Sequence, residues 1–317
     1  MNATAAKVRK CILRALPGSG RTCLWLLKII LPISLGVRLL QYCGLLSQLS
    51  GWMEPLFSVI GLPGETAIVF ITSIFCPLYA PIAIISSMSL GVREATILAL
   101  MCLVSHNLIV ESSVQAKTGS GFWEVTILRL AMSFVIAMGL NLVMPHSGWG
   151  TVGGEASVAA AGDNLWDVLA LWLYGSMKVV ITILLIVTAL MILHYILEEF
   201  RLMQGLSAVF APLMGIFGLP RNTAFLWLVG NLVGLAYGGA IMVEQVEQEK
   251  LSYKDGSLLN YHLAVNHSML EDTIIFVAIG IPVLWILITR LLFACSVVWI
   301  RRLYSLIAAR YLSPKKI

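Results

Sequence analysis

Residues 55–67, PLFSVIGLPGETA, return as residues 212–224, PLMGIFGLPRNTA. Pro55, Leu56, Gly61, Leu62, Pro63, Thr66 and Ala67 recur as Pro212, Leu213, Gly218, Leu219, Pro220, Thr223 and Ala224, all at an offset of 157. After a small insertion the echo continues at an offset of 161, where His106 meets His267, Glu111 meets Asp272, and Arg129-Leu130 meets Arg290-Leu291. His, Pro and Arg are not default residues of apolar helices, so matches in this order point to one unit used twice. A repeat of this kind has to be recognised before any fold is assigned.

The repeated unit is apolar. Of 317 residues, 59% are hydrophobic and 12% charged, with a mean hydropathy of +0.91. A soluble domain carries about twice that share of charge. Apolar runs of about 20 residues recur along the chain, the length a helix needs to cross a bilayer. The fold class is therefore all-α integral membrane, with the lipid bilayer as its first partner. The net charge of +5 is not a nucleic-acid signal. Lys7, Arg9, Lys10, Arg14 and Arg21 precede the first apolar run, and Arg301, Arg302, Arg310, Lys315 and Lys316 follow the last. Basic clusters flanking spans mark the cytoplasmic side, so both termini are expected there, in a bacterial-type inner (plasma) membrane. The run from Leu24 to Leu46 is too long for the core of a cleaved signal peptide. The six cysteines show no CxxC spacing, which argues against a disulfide framework or a zinc ribbon.

The expected organisation is a basic arm (1–22), a first repeat (23–144), an extracytoplasmic linker (145–164), a second repeat (165–300) and a basic tail (301–317). Inside each repeat one apolar segment is interrupted. In 63–90 the break is Cys76-Pro77-Leu78-Tyr79-Ala80-Pro81, and in 220–245 it is Gly230-Asn231 followed by Gly234, Tyr237, Gly238 and Gly239. Prolines remove amide donors and disfavour a continuous helix. Each arm is then about 11 residues, about 16 Å at 1.5 Å per residue, which is half a bilayer. Both segments read as re-entrant helical hairpins, buried in protein or lining a cavity as such backbone must be. About six crossing helices remain, at 24–46, 93–116, 122–144, 165–197, 254–280 and 282–300. With this arrangement the Lys/Arg-free linker lies outside, and Arg201, Arg221, Lys250 and Lys254 lie inside; Arg93 is the exception. Three crossings per copy make the repeat inverted, the plan of secondary transporters with a site near the midplane.

The helix after each hairpin carries a polar cluster: Ser105-His106-Asn107 with Glu111, and Asn266-His267-Ser268 with Glu271 and Asp272. At 100° per residue each set falls on one side of its helix. Ionisable groups at such depth face partners or a watery cavity. Three readings stand. His106, Asn107, Glu111, His267, Ser268, Glu271 and Asp272 bind a polar solute or a coupling Na+ or H+. Alternatively His106, Glu111, His267 and Asp272 form a divalent-metal site, a ligand mix that suits iron, manganese or zinc. Or they are interhelical hydrogen bonds without further role. Arg129 and Arg290 are candidate counter-charges to Glu111, Asp272 or an anionic ligand, and Lys178 is expected in a structural ion pair. No catalytic set appears: the H-x4-E spacing is not that of a zinc protease, and no phosphate loop or Ser-His-Asp order is present, so the chain is not expected to be an enzyme.

At these residues the chain resembles the Gate, or nucleoside-recognition, family. The likeness rests on GLPGETA and GLPRNTA with the hairpins that follow, on SHNLIVE and on NHSMLED, over about residues 55–130 and 212–290. That family is similar to spore maturation membrane proteins, to the membrane part of the ferrous-iron transporter B family and to the core of concentrative nucleoside transporters. The resemblance implies paired hairpins and broken helices around a transport site. The expected function is secondary transport of a small, nucleoside-like polar solute by alternating access, gated by the tips at 76–81 and 230–239. The alternatives are a divalent-metal transporter and a non-transporting membrane sensor or assembly factor. No cofactor is required beyond a coupling ion or a divalent metal, and self-association into a homo-oligomer stays open.

Overall fold

The structure, a computed structural model, describes residues 3–148, 150–152 and 164–311. Most of the expected linker (149 and 153–163) and the end of the expected tail (312–317) fall outside them. The described residues are almost entirely helical: α1 (Ala3–Tyr42), α2 (Leu45–Phe57), α3 (Ala67–Phe75), α4 (Tyr79–Ser87), α5 (Val92–Ser105), α6 (Leu108–Ala116) and α7 (Phe122–Val143) come first. Then follow α8 (Leu165–Glu199), α9 (Leu202–Phe210), α10 (Ala224–Leu232), α11 (Leu235–Glu247), α12 (Tyr253–Val265), α13 (Met269–Ala278) and α14 (Val283–Tyr311). Among the described residues the one strand pairing is β1 (Leu90–Gly91) antiparallel to β2 (Thr151–Val152). Among the described residues α1, α7, α8 and α14 are long and apolar enough to cross a membrane. Two broken pairs raise the count to six if each is one span: the chain on either side of Gly61–Pro63, and α5 with α6. The protein is an all-α, multi-pass membrane protein.

The chain forms two compact units. The first consists of Met1–Ile109, Leu130–Phe200 and Glu271–Ile286. In it α1 runs for 40 residues, about 60 Å at 1.5 Å per residue, through Pro17 and Pro32. The basic arm and the first span are thus one helix, although each proline removes a helix hydrogen bond. Helix α1 packs along the 35-residue α8 through the arm. Cys11 and Ala15 are buried, the Cys11 thiol donates to Tyr195 O at 3.5 Å, and the Arg14 guanidinium lies 4.6 Å over the Tyr195 ring. Further along, Cys23, Leu26 and Ile30 pack with Ala83, Ile183 and Val187. Lys178 does not make the expected ion pair with any described residue.

The repeated motif has one geometry in both copies. Gly61 and Gly218 take left-handed φ of 73° and 74°. Pro63 and Pro220 follow in the same extended conformation, each ahead of a 3-10 turn and a nine-residue helix, α3 or α10. Thr66 and Thr223 both donate back to the proline carbonyl at 2.7 Å. In the first copy the chain bends by 99° here. The Glu54 carboxylate then accepts from Gly64 N at 2.6 Å, placing a negative charge at a helix start where the dipole favours it.

Arg93, which fits a loop-charge rule poorly, is only 4% exposed. It donates to Asn141 O at 2.9 Å and Asn141 Oδ1 at 2.6 Å, and to Met144 O at 3.5 Å. Its charge therefore serves the carbonyls at the end of α7 rather than a loop surface. The same Asn141 leaves no room at Gly61, where an added Cβ would lie 2.0 Å from Asn141 Oδ1. At Gly218 the nearest atom to such a Cβ is a Val298 methyl at 3.0 Å. Gly61→Ala is expected to cost about 3 kcal/mol, from left-handed strain plus overpacking, and Gly218→Ala about 1 kcal/mol from strain alone. Unfolding midpoints of the two variants in detergent check the difference.

The second unit consists of Val110–Arg129, Arg201–Leu270 and Leu287–Ile317. Here α10 and α11 form a helical hairpin that turns at Val233 and Gly234, with Gly234 at φ 100°. Both helices pack on α12. Asn260 on α12 donates to Gln115 O at 3.0 Å and to Thr118 Oγ1 at 2.9 Å, and Gln115 donates back to Asn260 O at 3.0 Å. The first unit holds the corresponding hairpin, α3 and α4, which turns at Cys76–Leu78.

Candidate functional site

The structure departs most from the sequence expectation in the helices that follow the hairpins. The stretches 93–116 and 254–280, each expected as one crossing, are both broken at the histidine. α5 ends at Ser105 and α6 begins at Leu108; α12 ends at Val265 and α13 begins at Met269. The breaks are built alike. Asn107 and Ser268 stand at equivalent repeat positions with left-handed φ of 47° and 48°. In the first unit the Asn107 amide donates to Ser73 O at 2.8 Å and to Cys76 O at 3.1 Å, at the end of α3. In the second the Ser268 amide donates to Gly230 O at 2.8 Å, inside α10. Each hairpin thus takes up an amide that a continuous helix would keep for itself, and a left-handed Asn or Ser makes the exchange possible.

Next to each break the histidine is fixed by its own helix. His106 Nδ1 lies 3.1 Å from both Cys102 O and Leu103 O, and His267 Nδ1 lies 2.7 Å from Leu263 O. A carbonyl only accepts, so Nδ1 carries a proton in both rings. In the second unit His267 Nε2 is 3.2 Å from Glu111 Oε2, and Arg129 Nη2 is 2.7 Å from the same oxygen. His267 and Arg129 are fully buried and Glu111 is nearly so. Since Nδ1 already donates, the contact between Nε2 and the carboxylate requires one further proton, held by the imidazole or by Glu111. The pair Glu111–His267 is a buried carboxyl–imidazole contact with a permanent cation, Arg129, beside it. Arg290, expected as a counter-charge, donates to the backbone: to Val265 O at 3.4 Å and to His267 O. Those carbonyls end α12, where broken helix leaves them without intrahelical donors.

The remaining sequence candidates divide between the units. In the first, the Tyr79 hydroxyl at the hairpin turn donates to the Glu271 carboxylate. Asp272 and His106 are buried there, as is Pro81, whereas Cys76 and Pro77 are half-buried. In the second, Gly230 and Asn231 are buried on α10 and Gly234 forms the turn; the side chain of Tyr237 lies outside the described residues.

Two polar residues near the second break carry more weight than the sequence suggested. Asn266, the last residue before His267, is fully buried, and among the described residues neither Oδ1 nor Nδ2 of its carboxamide has a hydrogen-bond partner. One turn earlier His262 is also fully buried; its Nδ1 accepts from Trp227 Nε1 at 3.3 Å, while Nε2 has no partner. A buried polar atom left unmade is costly, and such atoms gather where a ligand supplies the missing bond. The signal for Asn266 was its place at the head of NHSMLED. His262 gave none, because a lone histidine on a helix reads as core.

These features accord with what the chain resembles elsewhere. A family model described as Gate, nucleoside recognition, matches residues 23–120. Over 285 residues the chain is 34% identical to a Bacillus subtilis (strain 168) protein described as "Uncharacterized membrane protein YvoD", which covers 89% of this chain and 91% of the relative. The chain belongs to the Gate family. No solved structure matches it. The Gate match takes in the first GLP turn, the first hairpin, the break at His106–Asn107 and Glu111. The second copy, at 212–290, lies beyond the matched residues.

Proposed function

We propose that this Gate protein is a secondary transporter of a small polar solute of the nucleoside class, coupled to protons. The observation that carries the reading is the buried Glu111–His267 pair beside Arg129, set at a helix break. An ionisable cluster inside a membrane protein is expensive to insert and is kept where ions or solutes pass. A shared proton on such a pair is a coupling site that loads and unloads without a metal. Arg129 at 2.7 Å from Glu111 Oε2 supports proton or solute exchange over divalent-metal binding, because a guanidinium on the carboxylate opposes a second cation there. The unpartnered carboxamide of Asn266 offers one donor and one acceptor, the complement of a nucleobase edge.

In this reading the two copies enter the membrane from opposite faces, both termini are cytoplasmic, and the hairpins gate a midplane site by alternating access. The repeat relates Glu111 and His267 to Asp272 and His106, and both of the latter are buried in the first unit. The purified protein in proteoliposomes with an imposed pH gradient tests the proposal. Wild type is expected to take up labelled nucleosides, Glu111→Gln to fall to the empty-liposome background, and Asn266→Ala to raise the half-saturating concentration about tenfold through one lost buried hydrogen-bonding group. Nucleoside binding without flux, or Glu111→Gln uptake equal to wild type, would falsify it.

A further inference from the structure

A second site lies in the first unit, away from the histidines. A cavity of about 310 Å³ opens among α1, α4, α8 and β2. Among the described residues two cations line it, Arg38 from α1 and Lys178 from α8, and no Asp or Glu does. The hydroxyls of Ser34, Ser86 and Ser176 and the indole of Trp172 face it as well, and most of the remaining wall is apolar. Arg38 is 7% exposed. Lys178 stands 13 residues into α8 (178 − 165), about 20 Å along a strongly apolar helix. Its ammonium makes no ion pair with any described residue. Ser34 Oγ already accepts from Trp172 Nε1 at 3.1 Å, whereas Ser86 Oγ is buried without a hydrogen-bond partner among the described residues.

Two like charges on one hollow repel each other, and a lysine this far along an apolar helix is kept where something answers its charge. Each of the polar groups here can donate, the guanidinium and ammonium only so and the hydroxyls as well as accepting. We propose that this cavity binds a phosphate-bearing anion, its phosphate held by Arg38 and Lys178 with Ser86 donating to a third oxygen, and its remaining body along the apolar wall. Phosphate suits the set because it offers several acceptor oxygens and takes bidentate arginine contacts. The same chemistry arrives on two carriers, the head group of an anionic phospholipid or a soluble phosphate ester. Basic pockets between membrane helices are known holders of anionic head groups. The site is independent of the transport reading.

The full chain, delipidated in neutral detergent, is titrated with phosphatidylglycerol, phosphatidylcholine and glycerol phosphate and followed by native mass spectrometry. One phosphatidylglycerol per chain is expected, bound about tenfold more weakly by Lys178→Met and less tightly by Ser86→Ala. Glycerol phosphate binding with the same dependence on Lys178 makes the head group alone sufficient, and its failure beside bound phosphatidylglycerol assigns the site to lipid. Lys178 is exposed and unpaired, so Lys178→Met is expected to melt like wild type without ligand. If it melts lower, Lys178→Arg must restore phosphatidylglycerol binding. Equal binding of phosphatidylcholine, wild-type affinity in Lys178→Met, or no rescue by Lys178→Arg overturns the proposal.

Discussion

Arg129→Met is expected to destabilise the protein by about 3–5 kcal/mol, the cost of leaving a buried carboxylate without its cation. Arg129 has no exposed surface, and its Nη2 lies 2.7 Å from Glu111 Oε2. Removing the guanidinium takes a permanent cation away from Glu111, which favours the protonated acid or a charged His267 imidazole. Neutralising the acid as well should return part of the loss. The double variant Arg129→Met/Glu111→Gln is expected to be more stable than the sum of its single changes by about 1–2 kcal/mol, within the range found for directly coupled residues. Equilibrium unfolding of the four proteins in mixed micelles measures this term. Simple additivity would mean that Glu111 and Arg129 do not interact.

Arg290→Met should do comparable damage by a different route. Its guanidinium is buried and answers the carbonyls of Val265 and His267 at the open end of α12. Cations belong at helix C-termini, and here the terminus is inside the protein, where water cannot take over. Two buried carbonyls left without donors cost about 1–3 kcal/mol each, so a loss of about 3–5 kcal/mol is expected. His267 would be released with them, and the Glu111 pair loosened. Arg290→Lys keeps the charge but not the fork and should fall between wild type and Arg290→Met. A change below about 1 kcal/mol in Arg290→Met would show that the helix end is held by other groups.

How much of this could be read in the chain depends on the kind of signal. The turn before each hairpin was legible, because Gly61 and Gly218 need a left-handed φ and Pro63 and Pro220 fix the next step. The hairpins turn at Pro77 and at Gly234, whereas Pro81, Gly230, Gly238 and Gly239, also in the expected tips, lie inside helices. The breaks at Asn107 and Ser268 left no such mark. Asn and Ser do not stop helices by themselves, and the amide partners are Ser73, Cys76 and Gly230, far away in sequence. The arm differs in the opposite direction: its basic charge set 1–22 apart from the first span, whereas one helix, packed on α8, runs through both. His262 was silent because its partner, Trp227, lies 35 residues earlier. Local chemistry is written locally, while a break made by tertiary hydrogen bonds is not.

Transport as proposed needs the two copies to enter the membrane from opposite faces. Val59 and Ile216 are equivalent repeat positions just before the GLP turns, 59% and 66% exposed. In a cysteine-free background, single cysteines at these two sites are labelled with a membrane-impermeant thiol reagent in intact cells and in inverted vesicles. Val59→Cys is expected to react only from the outside and Ile216→Cys only from the inside. Both sites reacting from the same face would contradict the inverted repeat, and alternating access around it would have to be abandoned.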